Sequence, residues 1–104
     1  MYKGITPTFT LTLPEDIDLG MAQHVYVTLG KKGKPILQKA DGDLVIEENV
    51  VEVFLDQAET LALPEGEVQI QVNWTYAEAG ATKRACSEIA TTWWKRNLEN
   101  EVLA

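Results

Sequence analysis

The chain has 104 residues, of which 45% are hydrophobic and 24% are charged, and its formal net charge is −7. This length suits one globular domain, and the composition is not that of a disordered chain. The negative charge disfavours binding to a nucleic-acid backbone, and no apolar run reaches the roughly 20 residues of a membrane span. The one cysteine, Cys86, excludes an intramolecular disulfide and a metal site built from several cysteines.

Most of the first half of the chain alternates between apolar and polar residues, as half-buried antiparallel strands do. Asn49 is expected to supply a tight turn between the last two strands of this half. Five strands are predicted here, over residues 7–13, 24–29, 36–40, 44–47 and 50–56. The lysines between residues 31 and 39 surround turn residues, which indicates a solvated hairpin loop rather than an anion-binding patch.

A short helical turn is predicted near residues 56–61. Asp56 and Glu59 have the spacing of a capping box. In that motif the aspartate side chain accepts a bond from the amide three residues on, and the glutamate side chain accepts from the amide of the aspartate. These acids are therefore interpreted as groups that satisfy backbone donors, and the leucines that follow are expected to close one end of the core.

Residues 68–76 form the longest alternating pattern, with an apolar residue at every second position. A returning strand is predicted over residues 82–93. Trp74 and Trp93 are expected to face inward and pack between the sheets. Since adjacent residues of a strand point to opposite faces, Trp94 is expected to point outward.

About seven short strands, separated by turn signals and accompanied by little helix, predict an all-β fold, an antiparallel sandwich of two sheets. Residues 1–94 would form a single domain. Residues 95–104 depart from the two-residue period, because Leu98, Val102 and Leu103 lie at helical spacing. This tail is predicted to be either a short docked helix or a segment that becomes ordered on a partner.

No catalytic, cofactor-binding or metal motif is visible, so a non-enzymatic protein without a cofactor is predicted. His24 is the one histidine, and it is interpreted as a surface or edge residue of a strand. A hydrolase that uses His24 with Asp56 or Glu59 is an alternative, although paired carboxylates that cleave glycosides must face each other across a cleft. Cys86 is interpreted as a small packing residue.

Four aspartates, at positions 16, 18, 41 and 43, offer the oxygen ligands that calcium prefers. Neither stretch completes the loop pattern of an EF-hand. These residues are therefore interpreted as turn and cap residues.

Trp94 is the central candidate for a contact residue. An exposed tryptophan next to arginine is typical of protein interfaces. The candidate interface comprises Trp94, Arg96, Leu98, Val102 and Leu103. If the ligand is a carbohydrate, Trp94 and Tyr26 would serve as stacking platforms.

Three stretches carry a family resemblance: G-I-T-P-T-F at residues 4–9, L-D-Q-A-E-T at residues 55–60, and V-Q-I-Q-V-N-W at residues 68–74, which follows Gly66. They resemble small proteins encoded in prophages of Gram-positive bacteria. They also resemble the immunoglobulin-like N-terminal domain of phage baseplate upper proteins, in which an L-x-x-x-E-T segment, a glycine and an alternating strand recur near the domain end.

The resemblance implies an immunoglobulin-like sandwich and a phage or prophage structural protein, associated with the tail or baseplate. Such a protein would oligomerise or bind other phage structural subunits, with no catalytic residue to carry over. Residues 1–7 lack the apolar region of a secretory signal. Synthesis in the bacterial cytoplasm, followed by a place in the virion, is therefore expected. The rival hypothesis is a sandwich module that binds carbohydrate or another ligand.

Overall fold

Two antiparallel sheets pack face to face in the computed structural model, which describes residues 1–103, and the predicted all-β sandwich is confirmed. The smaller sheet contains β1 (Thr8–Thr12), β5 (Val50–Phe54) and β4 (Leu44–Glu47), in that spatial order. The larger sheet contains β3 (Lys34–Ala40), β2 (His24–Lys31) and β6 (Gly66–Glu78), and then β7 (Ala81–Cys86) and β8 (Ala90–Trp94), which both pair with the far edge of β6. One helix, α1 (Gln57–Ala62), and two 3-10 turns, Leu19–Met21 and Asp41–Asp43, complete the elements described.

The strands predicted in the first half of the chain are all present, with small differences at their ends. In the turn between β4 and β5, the residue with the left-handed conformation is Glu48, with φ of 53°. Asn49 has a different role, because its Nδ2 donates to the Leu13 carbonyl at 2.6 Å and its carbonyl accepts from the Leu13 N–H at 2.8 Å. Asn49 thus ties the β4–β5 turn to the end of β1.

The inward side chains of both sheets form one hydrophobic core. In β2, the alternation correctly predicts that Val25, Val27 and Leu29 are buried, and in β6 it does the same for Trp74. Val51 and Val53 approach from the smaller sheet and are fully buried. Since full burial of one such aliphatic side chain stabilises a fold by about 1.5–3 kcal/mol, this shared core holds the two sheets together.

The capping box predicted at the start of α1 is confirmed. The Glu59 N–H donates to Asp56 Oδ1 at 2.8 Å, and the Asp56 N–H donates to Glu59 Oε1 at 3.0 Å. The two bonds satisfy backbone donors that a helix start leaves free. They allow a helix of only six residues to form in the segment that connects β5 of the smaller sheet to β6 of the larger sheet.

Thr60, in α1, is the one buried polar residue in the described part of the chain. Its Oγ1 donates to the Ile5 carbonyl at 2.8 Å and accepts from the Gly4 N–H at 2.9 Å. Gly4 has φ of 89°, and a Cβ there would lie 3.2 Å from Leu61 Cδ2. One hydroxyl therefore fixes the N-terminal segment against the helix.

The returning strand predicted over residues 82–93 is interrupted at residues 87–89 and forms β7 and β8 instead. Asn73 lies opposite Cys86, and Ile70 lies opposite Ala90. Three steps along β6 (73 − 70) therefore correspond to four along the returning chain (90 − 86). The single extra residue is the signature of a β-bulge, and it raises the number of strands described from the predicted seven to eight.

Ser87 bridges this interruption. Its N–H donates to the Val72 carbonyl at 2.8 Å, and its Oγ accepts from the Val72 N–H at 3.0 Å. The extra residue reverses the side to which β8 residues point, so Trp94 is only 1% exposed and packs edge-on against Phe9, whereas Trp93 is 63% exposed. The prediction that Trp93 faces inward and Trp94 outward is wrong, because it counted the alternation along one uninterrupted strand.

The C-terminal tail contains no helix between residues 95 and 103, and Ala104 lies outside the described residues. Lys95 forms an isolated bridge with Tyr2, and Asn97 Nδ2 donates to the Lys3 carbonyl at 3.0 Å. Farther along, the amide of Gln57 bonds both backbone groups of Leu103, at 2.8 and 3.0 Å. The tail runs across the N-terminal segment and the start of α1 rather than coiling.

Candidate interaction surfaces

The acids considered for hydrolysis have structural partners. Asp56 and Glu59 bond the backbone at the start of α1, and Glu59 also forms an ion pair with Lys39 at 2.8 Å. His24 bonds Asp41 instead, with 2.9 Å between His24 Nδ1 and Asp41 Oδ2. In the part of the chain that the structure describes, His24 bonds neither member of the capping box.

Asp41 fixes the start of β2. Its Oδ1 accepts from the Val25 N–H at 2.8 Å, while Oδ2 contacts His24. The backbone bond from Val25, and then the bond from His24, lower the pKa of Asp41 below its ordinary value of 3.8. Asp18 plays a similar local part, because it caps the turn Leu19–Met21 by accepting from the Gly20 N–H at 2.9 Å.

Residues 1–103 contain no cluster of three His, Cys, Asp or Glu side chains placed to hold a metal ion. Over the same residues, no helix has the length and apolar character needed to cross a bilayer. Cys86 is exposed at the end of β7, so its interpretation as a packing residue is wrong.

Trp94 is excluded as a contact residue because it lies in the core, where its indole N–H donates to Thr92 Oγ1 at 2.8 Å. The adjacent Trp93 is exposed in its place. The remaining members of the candidate interface are all exposed at the surface: Arg96, Leu98, Val102 and Leu103. Arg96 and Leu98 line a shallow depression of about 370 Å³ beside Tyr2 and Ile5, where the two ends of the chain meet.

Strands β6 and β7 project beyond the core as a two-stranded ribbon, which we define as residues 77–84. β2 begins at His24, opposite Thr75, so no described strand covers that edge of β6 farther along. On the other side, β7 pairs with β6 alone. Every residue of the ribbon is exposed, and the molecule is correspondingly elongated, at 52 × 28 × 21 Å.

The ribbon turns at Ala79 and Gly80, both of which have a left-handed backbone, with φ of 53° and 78°. Two positive φ values in a two-residue loop give a turn whose twist matches that of the flanking strands. Lys83 and Glu78 lie 4.0 Å apart across the ribbon. Most of the other side chains are small, so a neighbouring backbone can approach closely.

The outer face of the larger sheet carries a second surface, which we call the amide face. It is centred on four amide side chains, with two neighbouring residues: Gln38, Gln69, Gln71 and Asn73, together with Thr28 and Arg84. Two shallow depressions of about 400 and 310 Å³ adjoin here, because Thr28, Gln38, Asn73 and Arg84 line both. The sequence carries a signal for this surface. The outward positions between residues 68 and 76 are three amides and a threonine, with no charged residue among them: Gln69, Gln71, Asn73 and Thr75.

A larger depression, of about 750 Å³, lies elsewhere, between β1 and the interruption at residues 87–89. Its walls include Leu11 and Leu13 on one side and Ile89 and Ala90 on the other. It is bounded by two strand edges that have no described partner. The sandwich is therefore open along this side.

Comparison of the chain with protein-family models, with curated proteins and with solved structures finds no match.

Proposed function

We propose that this protein is a non-enzymatic structural subunit that acts by assembling with other protein chains, and that its place is in a phage or prophage particle, at the tail or baseplate. The β6–β7 ribbon carries the proposal. Neither of its edges has a described strand partner beyond Thr75, and every residue from 77 to 84 is exposed. A surface of this kind pairs readily with the sheet edge of another chain.

An isolated two-stranded ribbon is only marginally stable in water. Soluble proteins usually protect such an edge with proline, a bulge or inward-pointing charges. Between residues 77 and 84 the ribbon has neither proline nor a bulge, and its charged side chains are Glu78, Lys83 and Arg84, of which Glu78 and Lys83 lie on the same side of the sheet as Tyr76. Pairing with a neighbouring subunit would cover the unbonded backbone groups and stabilise the ribbon.

The assignment to a phage particle is supported by the resemblance of residues 55–60 and 68–74 to the baseplate domain. In this chain those residues supply the capping box, the buried Thr60 and the central strand β6. The edge-pairing proposal rests on geometry and stands apart from that resemblance, so the two parts require separate tests.

The backbone pattern identifies which ribbon amides face outward. In a two-residue hairpin, the pair next to the turn exchanges both hydrogen bonds, and the pairs alternate from there. Glu78 and Ala81 flank the turn, so the next pair, Ala77 and Thr82, directs its N–H groups to the two free edges. The same alternation directs the Thr75 carbonyl away from β7, where it accepts a bond from Gln23 at 2.8 Å.

Thr82→Pro therefore removes an outward N–H while keeping the bonds between β6 and β7, and Thr82→Ala is the matched control that keeps the N–H. We expect the wild type and Thr82→Ala to form the same oligomers in native mass spectrometry, and Thr82→Pro to shift toward the monomer. A wild type that stays monomeric at high concentration, alone and with the products of adjacent genes, would overturn edge pairing. A gene neighbourhood without portal, tape-measure or tail-fibre genes would overturn the phage assignment.

A further inference from the structure

The amide face has polar groups already held in position but only partly bonded. Gln69 Oε1 accepts from the Gly33 N–H at 2.9 Å, which leaves its NH₂ group free of described partners. Gln71 has the opposite arrangement, because its Nε2 donates to the Ser87 carbonyl at 2.9 Å and its oxygen is free among the described residues. Each amide is thus oriented by one bond and presents its other group outward, which reduces the entropy lost on binding.

The pattern continues across neighbouring strands. Asn73 Oδ1 accepts from Arg84 Nε at 3.1 Å, which leaves the Asn73 NH₂ group available. Gln38 Nε2 donates to Thr28 Oγ1 at 3.3 Å, which leaves the Gln38 oxygen available. Donors and acceptors therefore alternate over the surface, and a ligand rich in hydroxyl groups can bond both kinds because each hydroxyl donates and accepts.

Two further observations fit such a ligand. The Thr75 hydroxyl, beside the smaller depression, is shielded from solvent and has no hydrogen-bond partner within residues 1–103. The Tyr26 ring lines the same depression and offers an apolar surface next to the polar groups. Carbohydrates combine hydroxyl edges with apolar ring faces, so this combination suits a sugar better than a flat protein surface.

The charge on the amide face is positive, although the chain as a whole carries −7. The charged residues that line the two depressions are Lys34 and Arg84. Neither forms an ion pair with a described residue, since Arg84 bonds only the neutral Asn73. A ligand with a carboxylate or phosphate would supply the missing charge.

We propose that the amide face binds an acidic oligosaccharide, with the amides bonding sugar hydroxyls and Arg84 pairing with the anionic group. This inference does not depend on the assembly function. It also moves any sugar contact from Trp94, which is buried, to the outer side of β2, β3, β6 and β7.

The test is a titration of ¹⁵N-labelled protein followed by NMR, with tetragalacturonate as the acidic probe. Maltotetraose is the neutral probe of the same length, and sodium phosphate tests for a simple anion site. We expect tetragalacturonate to bind with a Kd of about 1 mM or tighter, and to shift the amide signals of outward residues around Gln71. Maltotetraose should bind about tenfold more weakly because it lacks the charge.

Arg84→Gln is the decisive variant, and Lys83→Gln is its matched control. The two substitutions remove the same charge from adjacent residues of β7, but Lys83 lies opposite Tyr76 and points to the other side of the sheet. Arg84→Gln should weaken binding about tenfold, and Lys83→Gln should change it by less than about twofold. Both variants keep their backbone amides, so edge pairing stays intact.

Gln38→Ala adds a test of the amides, with the exposed Gln23→Ala as its control. Only the first is expected to weaken binding. Equal binding of the two tetrasaccharides would overturn the role of charge, and equal shifts with phosphate alone would reduce the surface to a simple anion site. Absence of binding to tetragalacturonate and to every acidic glycan on an array would overturn the proposal.

Discussion

Replacing Thr60 by valine tests whether the hydrogen bonds of one hydroxyl hold Gly4 and Ile5 against α1. Valine has nearly the shape of threonine, so Thr60→Val preserves the packing of a fully buried site. It removes the group that donates to the Ile5 carbonyl and accepts from the Gly4 N–H. A packing argument alone predicts no loss of stability, whereas a hydrogen-bond argument predicts a clear one.

The expected magnitude follows from the two backbone groups that lose their partner. A buried polar group without a partner costs about 1–3 kcal/mol. Both bonds are only partly buried, so water will reach some of the released groups, and we expect a total loss of about 2 kcal/mol. Thr60→Ser keeps the hydroxyl and removes one methyl group, for which we expect about 1 kcal/mol.

Urea denaturation followed by tryptophan fluorescence measures both variants. With a dependence of about 2 kcal/mol per molar urea, Thr60→Val should lower the midpoint by about 1 M, and Thr60→Ser by about half as much. The order of the two variants is the critical result. If Thr60→Val proves as stable as Thr60→Ser, or more stable, the packing of the Thr60 side chain rather than its hydrogen bonds holds Gly4 and Ile5 against α1.

Three further predictions concern other parts of the fold. Gly30→Ala should lower stability by about 2 kcal/mol or more in thermal unfolding, because the added Cβ would lie 2.4 Å from the backbone oxygen of Lys34. Trp94→Ala should cost about 3–5 kcal/mol, whereas Trp93→Ala should change the free energy of unfolding by about 0.5 kcal/mol or less. The lowered pKa of Asp41 means that its ionised form stabilises the native state. That contribution is present above the ordinary pKa of 3.8 and is lost as the pH falls through the folded-state value. The stability advantage of the wild type over Asp41→Asn should therefore shrink as the pH falls below 3.8 in urea titrations.

Each of these predictions has a contrary outcome. An unchanged melting temperature for Gly30→Ala would mean that the backbone moves to admit a methyl group at Gly30, where the register between β2 and β3 shifts. Equal losses for the two tryptophan variants would contradict the assignment of Trp94 to the core and of Trp93 to the surface. A pH-independent difference between the wild type and Asp41→Asn would show that the bonds to Asp41 do not depend on its charge.

Features set by neighbouring residues could be predicted from the sequence. The capping box depends on Asp56 and Glu59, which are three residues apart, so its geometry follows from the local spacing. The central strand β6 follows from a strict two-residue period, which only a strand with one buried face satisfies. The sandwich class followed from this two-residue period, repeated in about seven short strands with turn signals between them and little helix.

Features that depend on distant residues were missed. Thr60 bonds Ile5 and Gly4, which lie 55 and 56 residues away, and no local pattern indicates these partners. β6 has no β2 partner beyond Thr75 because β2 starts at His24. That starting point depends on how the chain between β1 and β2 is anchored, for example by the Gln23 bond to Thr75, and not on the sequence of β6 itself.

The candidate site was mislocated for a different reason. The prediction for Trp93 and Trp94 applied the alternation of side chains along a strand. This alternation holds only where no extra residue interrupts the strand, and the chain is interrupted at residues 87–89. Ser87 satisfies both backbone groups of Val72 with its own N–H and hydroxyl, so Val72 remains hydrogen-bonded despite the insertion. A serine in a threonine-rich strand gives no local sign of this role.

The interruption at residues 87–89 also has a consequence for natural variation in this chain. Deletion of one residue there would turn every side chain of β8 to the opposite face of the sheet. Trp93 would then enter the core and Trp94 would reach the surface, with the composition of the strand unchanged. A change in length of one residue can therefore alter the outer surface of this edge more than any single substitution within β8.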